Sequence, residues 1–147
     1  MLYLVRHGEA RTDGPDNDRT LTEHGVAGVE RVAEWVARAD ATVNEIRHSG
    51  KRRAEQTASI LAARLNPASV VAISGIAPND DPVAFAQSIA DDESVMIVSH
   101  LPFLAYVVAT LLGTEHAIVD FHPATVVALQ HVQGGFVIDF VVHPRMG

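Results

Sequence analysis

The sequence predicts a three-layer α/β/α domain, with a mainly parallel central sheet, helices on both faces and a C-terminal antiparallel β-hairpin. Three observations predict it. The apolar runs "MLYLV", "SVVAI" and "SVMIV" are short and bounded, as buried strands are. Helical patterns lie between them, and alternating strands and helices imply parallel strands covered on both sides. Near the C-terminus, "ATVVALQHV" and "FVIDFVVH" flank "QGG", the pattern of a hairpin.

Each element has a local reason. "MLYLV" is the first strand, and it runs into Arg6, His7 and Gly8. "TDGPDNDR" is a polar loop from Thr12 to Arg19. In "LTEHGVAGVERVAEWVARA", Val26, Val29, Val32 and Val36 recur at helical spacing. Thr22 fits as its cap, and Thr20 with Glu23 fits a capping box equally well. "VNEIRHS" is a weaker strand candidate. "GKRRAEQTASILAARL" follows Ser49, a good cap, and stops before Asn66 and Pro67. "DPVAFAQSIAD" and "PFLAYVVATLLG" are the later helices, each with a proline near its first turn.

Composition bounds the function. The 147 residues suit one domain spanning positions 1 to 147. Apolar residues make up 48% and charged residues 20%, a globular balance. The formal charge of −7 argues against a nucleic-acid or anionic-membrane surface, so any anion site must be a local basic cluster. With no cysteine, disulfides, thiolate catalysis and cysteine-ligated zinc are excluded. No run approaches the ~20 apolar residues of a membrane helix. No basic segment precedes the opening run, so no signal peptide is expected and a cytoplasmic protein is. A monomer or weak dimer is expected.

Ligands of open α/β sheets sit at the carboxyl ends of strands. Arg6 and His7 follow the first strand, "SHLP" (Ser99 to Pro102) follows "SVMIV", and His48 and Ser49 close "VNEIRHS". Lys51, Arg52 and Arg53 then open a helix, where the dipole disfavours cations. An anion would remove that conflict, because free N–H groups and arginine forks bind phosphate. A solvated basic turn is the bland alternative. Helical phase sets Arg52 opposite Leu61, facing solvent, and Arg53 on the flank of the buried face. Phase does not separate Arg53 from Lys51.

His24, His48, His116, His122, His131 and His143 read as structural or exposed. His7 and His100 differ, because both terminate apolar strands. Neutral imidazole attacks phosphorus when its other nitrogen donates to a fixed acceptor. Neighbouring arginines oppose its protonation and neutralise phosphoryl oxygens. These residues make a coherent phosphoryl-transfer pocket without metal. No histidine pair has close metal-ligand spacing, and neither metal nor cofactor is expected. "SGKRR" lacks the earlier glycine and the following Ser/Thr of a P-loop.

"RHGEA" (Arg6 to Ala10), "DRTLTEHG" (Asp18 to Gly25), "SGKRRAEQT" (Ser49 to Thr57) and "VSHLP" (Val98 to Pro102) together resemble the histidine phosphatase superfamily. More narrowly, they resemble its small bacterial phosphohistidine phosphatase branch. The resemblance implies a phosphoglycerate mutase-like fold and a phosphohistidine enzyme intermediate. His7 then matches the nucleophile, Arg6 and Arg53 the phosphate-binding arginines, and His100 the second phosphate-contacting histidine. Arg19 matches an arginine of the small branch that faces the pocket, with a surface pair to Asp16 or Asp18 as its alternative.

Larger relatives carry a glutamate after the third strand as general acid. Here that region reads "SGIAPNDDPVAF". Asp80 or Asp81 are the possible substitutes, and capping the helix ahead of Pro82 is the preferred reading of both. A phosphorylated imidazole leaves more easily than an alkoxide and needs less protonation. The expected partner is therefore a phosphohistidine protein, with a small phosphorylated substrate as the alternative. A general phosphomonoesterase and a non-catalytic phospho-ligand module are the rival functions.

Overall fold

The computed structural model describes residues 1–89 and 93–146. Among these, the strands of a six-stranded sheet are β1 (Leu2–Arg6), β2 (Glu45–His48), β3 (Ser69–Ala72), β4 (Val95–Ser99), β5 (Val126–Val132) and β6 (Gly135–Val142). Their order across the sheet is β3-β2-β4-β1-β5-β6. β1 to β4 run parallel to one another, while β5 runs antiparallel to both β1 and β6. The helices are α1 (Glu23–Arg38), α2 (Arg52–Leu65), α3 (Pro82–Ser88) and α4 (Phe103–Leu112). This is the expected three-layer architecture with its closing hairpin. Ala90 and Asp91, the end of the third expected helix, and Gly147 lie outside the described residues.

Period-two alternation divides the core. Tyr3 and Val5 of β1, with Met96 and Val98 of β4, pack with α1 and α2. Leu2 and Leu4, with Val95 and Ile97, pack with α4. Fully burying one such side chain stabilises by about 1.5–3 kcal/mol. Two-sided burial explains why these strands read as unbroken apolar runs.

The elements obey their local signals, with two corrections, one at a helix and one at a strand. Thr22 caps α1, its hydroxyl accepting from Gly25 N at 2.9 Å, and Val29, Val32 and Val36 form the buried stripe. α2 ends at Asn66 in the left-handed conformation, φ +50°, just before Pro67. Ser49, however, is not its cap. The N-cap is Lys51, with no side-chain capping bond, because a turn at Gly50 (φ +88°) separates Ser49 from the helix. "SVVAI" is also less buried than its composition suggests. β3 is an edge strand, with Val70 40% and Val71 36% exposed, since α3 packs on α4 rather than over it. Among the described residues, no helix is long and apolar enough to cross a membrane.

Candidate active site

β4 lies between β1 and β2, and all three are parallel. Their carboxyl ends therefore open on one edge, and the residues just beyond them become neighbours. His7 N donates to Ser99 O at 3.1 Å, which joins the first two turns. The His7 and His100 ring centroids lie 5.0 Å apart.

The turn after β1 is held from two sides. Gly8 N donates to Thr57 Oγ1 at 3.0 Å, and Thr57 Oγ1 donates to Arg53 O at 2.8 Å. On the other side the turn presses against α1. A Cβ on Gly8 would come within 2.7 Å of Val29 Cγ2, and one on Gly25 within 2.1 Å of Glu9 O. Both glycines are thus required by close approach.

His7 Nδ1 donates to the Gly8 carbonyl at 2.7 Å. A carbonyl only accepts, so Nδ1 carries the proton and Nε2 keeps its lone pair. Burial lowers the His7 pKa to about 4, with Arg53 and Arg6 adding to the effect against the Gly8 bond and Asp16. The ring is therefore neutral at pH 7.

His100 is 1% exposed. Burial first, then His7, Arg53 and Lys51, lower its pKa to about 3. Its Nε2 lies 2.6 Å from Ser49 Oγ. Its Nδ1 and Arg6 Nε are buried without a hydrogen-bond partner. Such atoms cost about 1–3 kcal/mol each.

The cations are gathered from three elements. Arg6, at the end of β1, donates through NH1 to Phe121 O at 2.8 Å. Arg53 is 9% exposed and grips Asp16, through NH1 to the backbone O at 2.7 Å and NH2 to Oδ1 at 3.2 Å. Lys51 Nζ also binds the Asp16 carboxylate, and reaches Asn17 Oδ1 at 2.7 Å. The Lys51 bond leads the causes that hold the Asp16 pKa below the usual carboxylate range. Arg19 donates to Gly14 O at 3.2 Å and stands 3.7 Å from Asp16 Oδ1. Arg6, His7, Arg19 and Arg53 line one cleft of about 260 Å³. Arg52 points away, exposed and paired with Glu55 at 2.7 Å, as its phase predicts. A cleft with four guanidiniums, Arg11 included, around a neutral imidazole suits an anion that reacts with a nitrogen lone pair.

Asp80 and Asp81 do not line this cleft. Asp81 Oδ1 caps α3, accepting from Val83 N at 2.9 Å and Ala84 N at 3.3 Å. Asp80 Oδ2 accepts from Ala77 N at 2.8 Å. His48 Nδ1 accepts from Gly50 N at 3.1 Å, a structural use. Sequence reasoning named Ser49 only as a strand end and helix cap and Asp16 only as a surface partner of Arg19, a pair that forms at 3.7 Å, and it missed Thr57. Thr57 had a faint signal, since it lies four residues after Arg53 on the same helical face.

Residues 2–76 match the model of the histidine phosphatase superfamily (branch 1). The chain is also 31% identical over 122 residues to the phosphohistidine phosphatase SixA of Escherichia coli (strain K12), covering 78% of this chain and 76% of that protein. The chain belongs to the histidine phosphatase superfamily. This histidine phosphatase superposes on a solved structure of the protein histidine phosphatase SixA complexed with tungstate. The TM-score is 0.88 at 27% identity, covering 99% of this chain and 97% of the other. It also matches a phosphoserine phosphatase complexed with 3-phosphoglyceric acid from Entamoeba histolytica, TM-score 0.75 at 18% identity, over 95% of both chains. That likeness shows the shared fold alone, so choice of substrate must be sought in the site.

Proposed function

We propose that this chain is a metal-independent protein phosphohistidine phosphatase that works through a phospho-His7 intermediate. The observation that carries the reading is the neutral His7 ring, with Nδ1 tied to Gly8 O and Nε2 left as nucleophile among the arginines. The likeness to E. coli SixA supports phosphohistidine as the substrate.

The Nε2 lone pair attacks phosphorus in line, and the phosphorus–nitrogen bond to the substrate imidazole breaks. Arg6, Arg53 and Arg19 neutralise the phosphoryl oxygens, and preorganised donors of this kind stabilise developing charge at little cost in reorganisation. His100, its ring 5.0 Å from that of His7 and held by Ser49, is the second histidine of the phosphate site. The substrate ring carries a proton from solvent on its other nitrogen, so neutral imidazole departs as the bond breaks. Water then attacks phospho-His7, the new phosphorus–nitrogen bond breaks, and phosphate and neutral His7 are regenerated. No carboxylic acid is needed for so good a leaving group, in keeping with the backbone engagements of Asp80 and Asp81. All the named site residues come from one chain, which suits a monomer or weak dimer; a cytoplasmic location is part of the same proposal.

The test is an alkaline quench during turnover of a phosphohistidine substrate, followed by peptide mapping. Phosphate is expected on His7, acid-labile, and absent from His7→Ala. Label elsewhere, or normal turnover by the variant, would overturn the mechanism.

A further inference from the structure

A second cavity of about 290 Å³ adjoins the arginine cleft. Glu9 and Pro123 line both, so the two form one trough. Three imidazoles from separate parts of the chain face it: His24 in the first turn of α1, His122 ahead of β5, and His143 just after β6. The His122 and His143 rings stand 5.3 Å apart. His24 Nε2 lies 3.8 Å from Glu9 Oε2.

The walls are built rather than incidental. Arg31 NH1 donates to Pro144 O at 3.0 Å and pins the C-terminal segment to α1. Gly28 lets that segment approach, since a Cβ there would lie 3.2 Å from Pro144 Cγ. Among the described residues, no three His, Cys, Asp or Glu side chains are placed to hold a metal ion. His122 Nε2 stands 3.4 Å from Asp120 Oδ2, and His143 Nδ1 accepts from Arg145 N at 3.3 Å, so each of the three rings has one nitrogen engaged and its other nitrogen left for a ligand, with Pro123, Pro144 and Ala124 supplying apolar wall. Imidazole nitrogens beside an apolar floor can donate to and accept from a peptide backbone.

We propose that this cavity seats the polypeptide segment flanking the phosphorylated side chain, and so selects protein over small phosphorylated substrates. The phosphoryl group would lie among Arg6, Arg19 and Arg53, and the chain would pass over Glu9 and Pro123 into the histidine-lined cavity. Resting on the phosphohistidine assignment above, the inference adds where the rest of the substrate binds.

The experiment compares two substrates, phosphoramidate and a short histidine-phosphorylated peptide, for the parent protein, His24→Ala, His143→Ala and the double variant. Each lost hydrogen bond should raise KM for the peptide about tenfold, with kcat unchanged. Values for phosphoramidate should not move, which also shows that the variants fold. If both substrates are turned over and the variants leave the peptide KM unchanged, or weaken both substrates equally, the cavity assignment is overturned while the phosphatase reading stands. If the parent protein hydrolyses neither substrate, the phosphatase reading itself fails and takes the inference with it.

Discussion

The N-termini of α2 and α3 solve the same problem in opposite ways. Both expose backbone N–H groups at the start of a helix. α3 satisfies its own with the Asp81 carboxylate and has Pro82 in its first turn. α2 has no capping side chain, and Lys51, Arg52 and Arg53 crowd its start. Three cations there are costly in isolation. Two of them are compensated by Asp16, which reaches in from the loop before α1. The closed terminus is structural. The uncapped one faces the cleft and keeps Arg53 available to an anion. A carboxylate near a helix start thus says little about catalysis until its partners are known.

The largest effect should come from His7, the proposed nucleophile beside the open terminus. His7→Ala should abolish turnover and the phosphoenzyme while leaving the fold intact, checked by single-turnover assay and circular dichroism. Next, Arg53→Ala should lower kcat/KM by on the order of 10²–10³, whereas Arg52→Ala should leave it nearly unchanged. Equal losses at the two positions would erase the distinction between buried and outward cation. Inorganic phosphate should inhibit competitively, and less tightly in Arg53→Ala.

A pH profile sharpens the contrast further. His7 must be neutral to attack, and its pKa is lowered to about 4. Free-enzyme kcat/KM, corrected for ionisation of an aryl phosphate substrate, should therefore hold through the ordinary histidine range and fall only near pH 4. A fall centred at pH 6.5, the ordinary histidine value, would mean that His7 is not shielded. Stability follows by linkage. The unfolded chain takes up protons at these histidines near 6.5, and the folded chain only near 4 for His7 and 3 for His100. Their stabilising contribution is present above 6.5 and is lost as pH falls through that window. Urea midpoints at pH 7.5 and 5 should show the drop, and His100→Gln should reduce it.

The smallest effect belongs to the closed terminus. Asp81→Ala should cost about 1 kcal/mol of stability through loss of the cap, with phosphatase rates unchanged. Asp80→Asn should likewise spare the rate. With aryl and alkyl phosphates of rising leaving-group pKa, kcat/KM should fall steeply. A general acid supplies about 10²–10⁴-fold for poor leaving groups. A flat series, with chemistry rate-limiting, would reveal an acid after all, and these two substitutions would locate it.

The alternation of strands and helices, the buried stripe of α1, the outward phase of Arg52 and the placing of His7 and His100 at strand ends were all legible along the chain. Each is a local property, carried by periodicity or by a run and its boundary. Tertiary structure decided the rest. Ser49 meets His100 across 51 positions, and Arg53 meets Asp16 across 37. Such partners depend on which strands become neighbours, and β4 enters between β1 and β2 only when the whole sheet forms. The same holds for β3, whose valines resemble a core strand but lie at an edge. It holds too for His24, His122 and His143, which have no shared pattern along the chain. They converge on one cavity because the C-terminal segment is pinned against α1 beside the turn after β1.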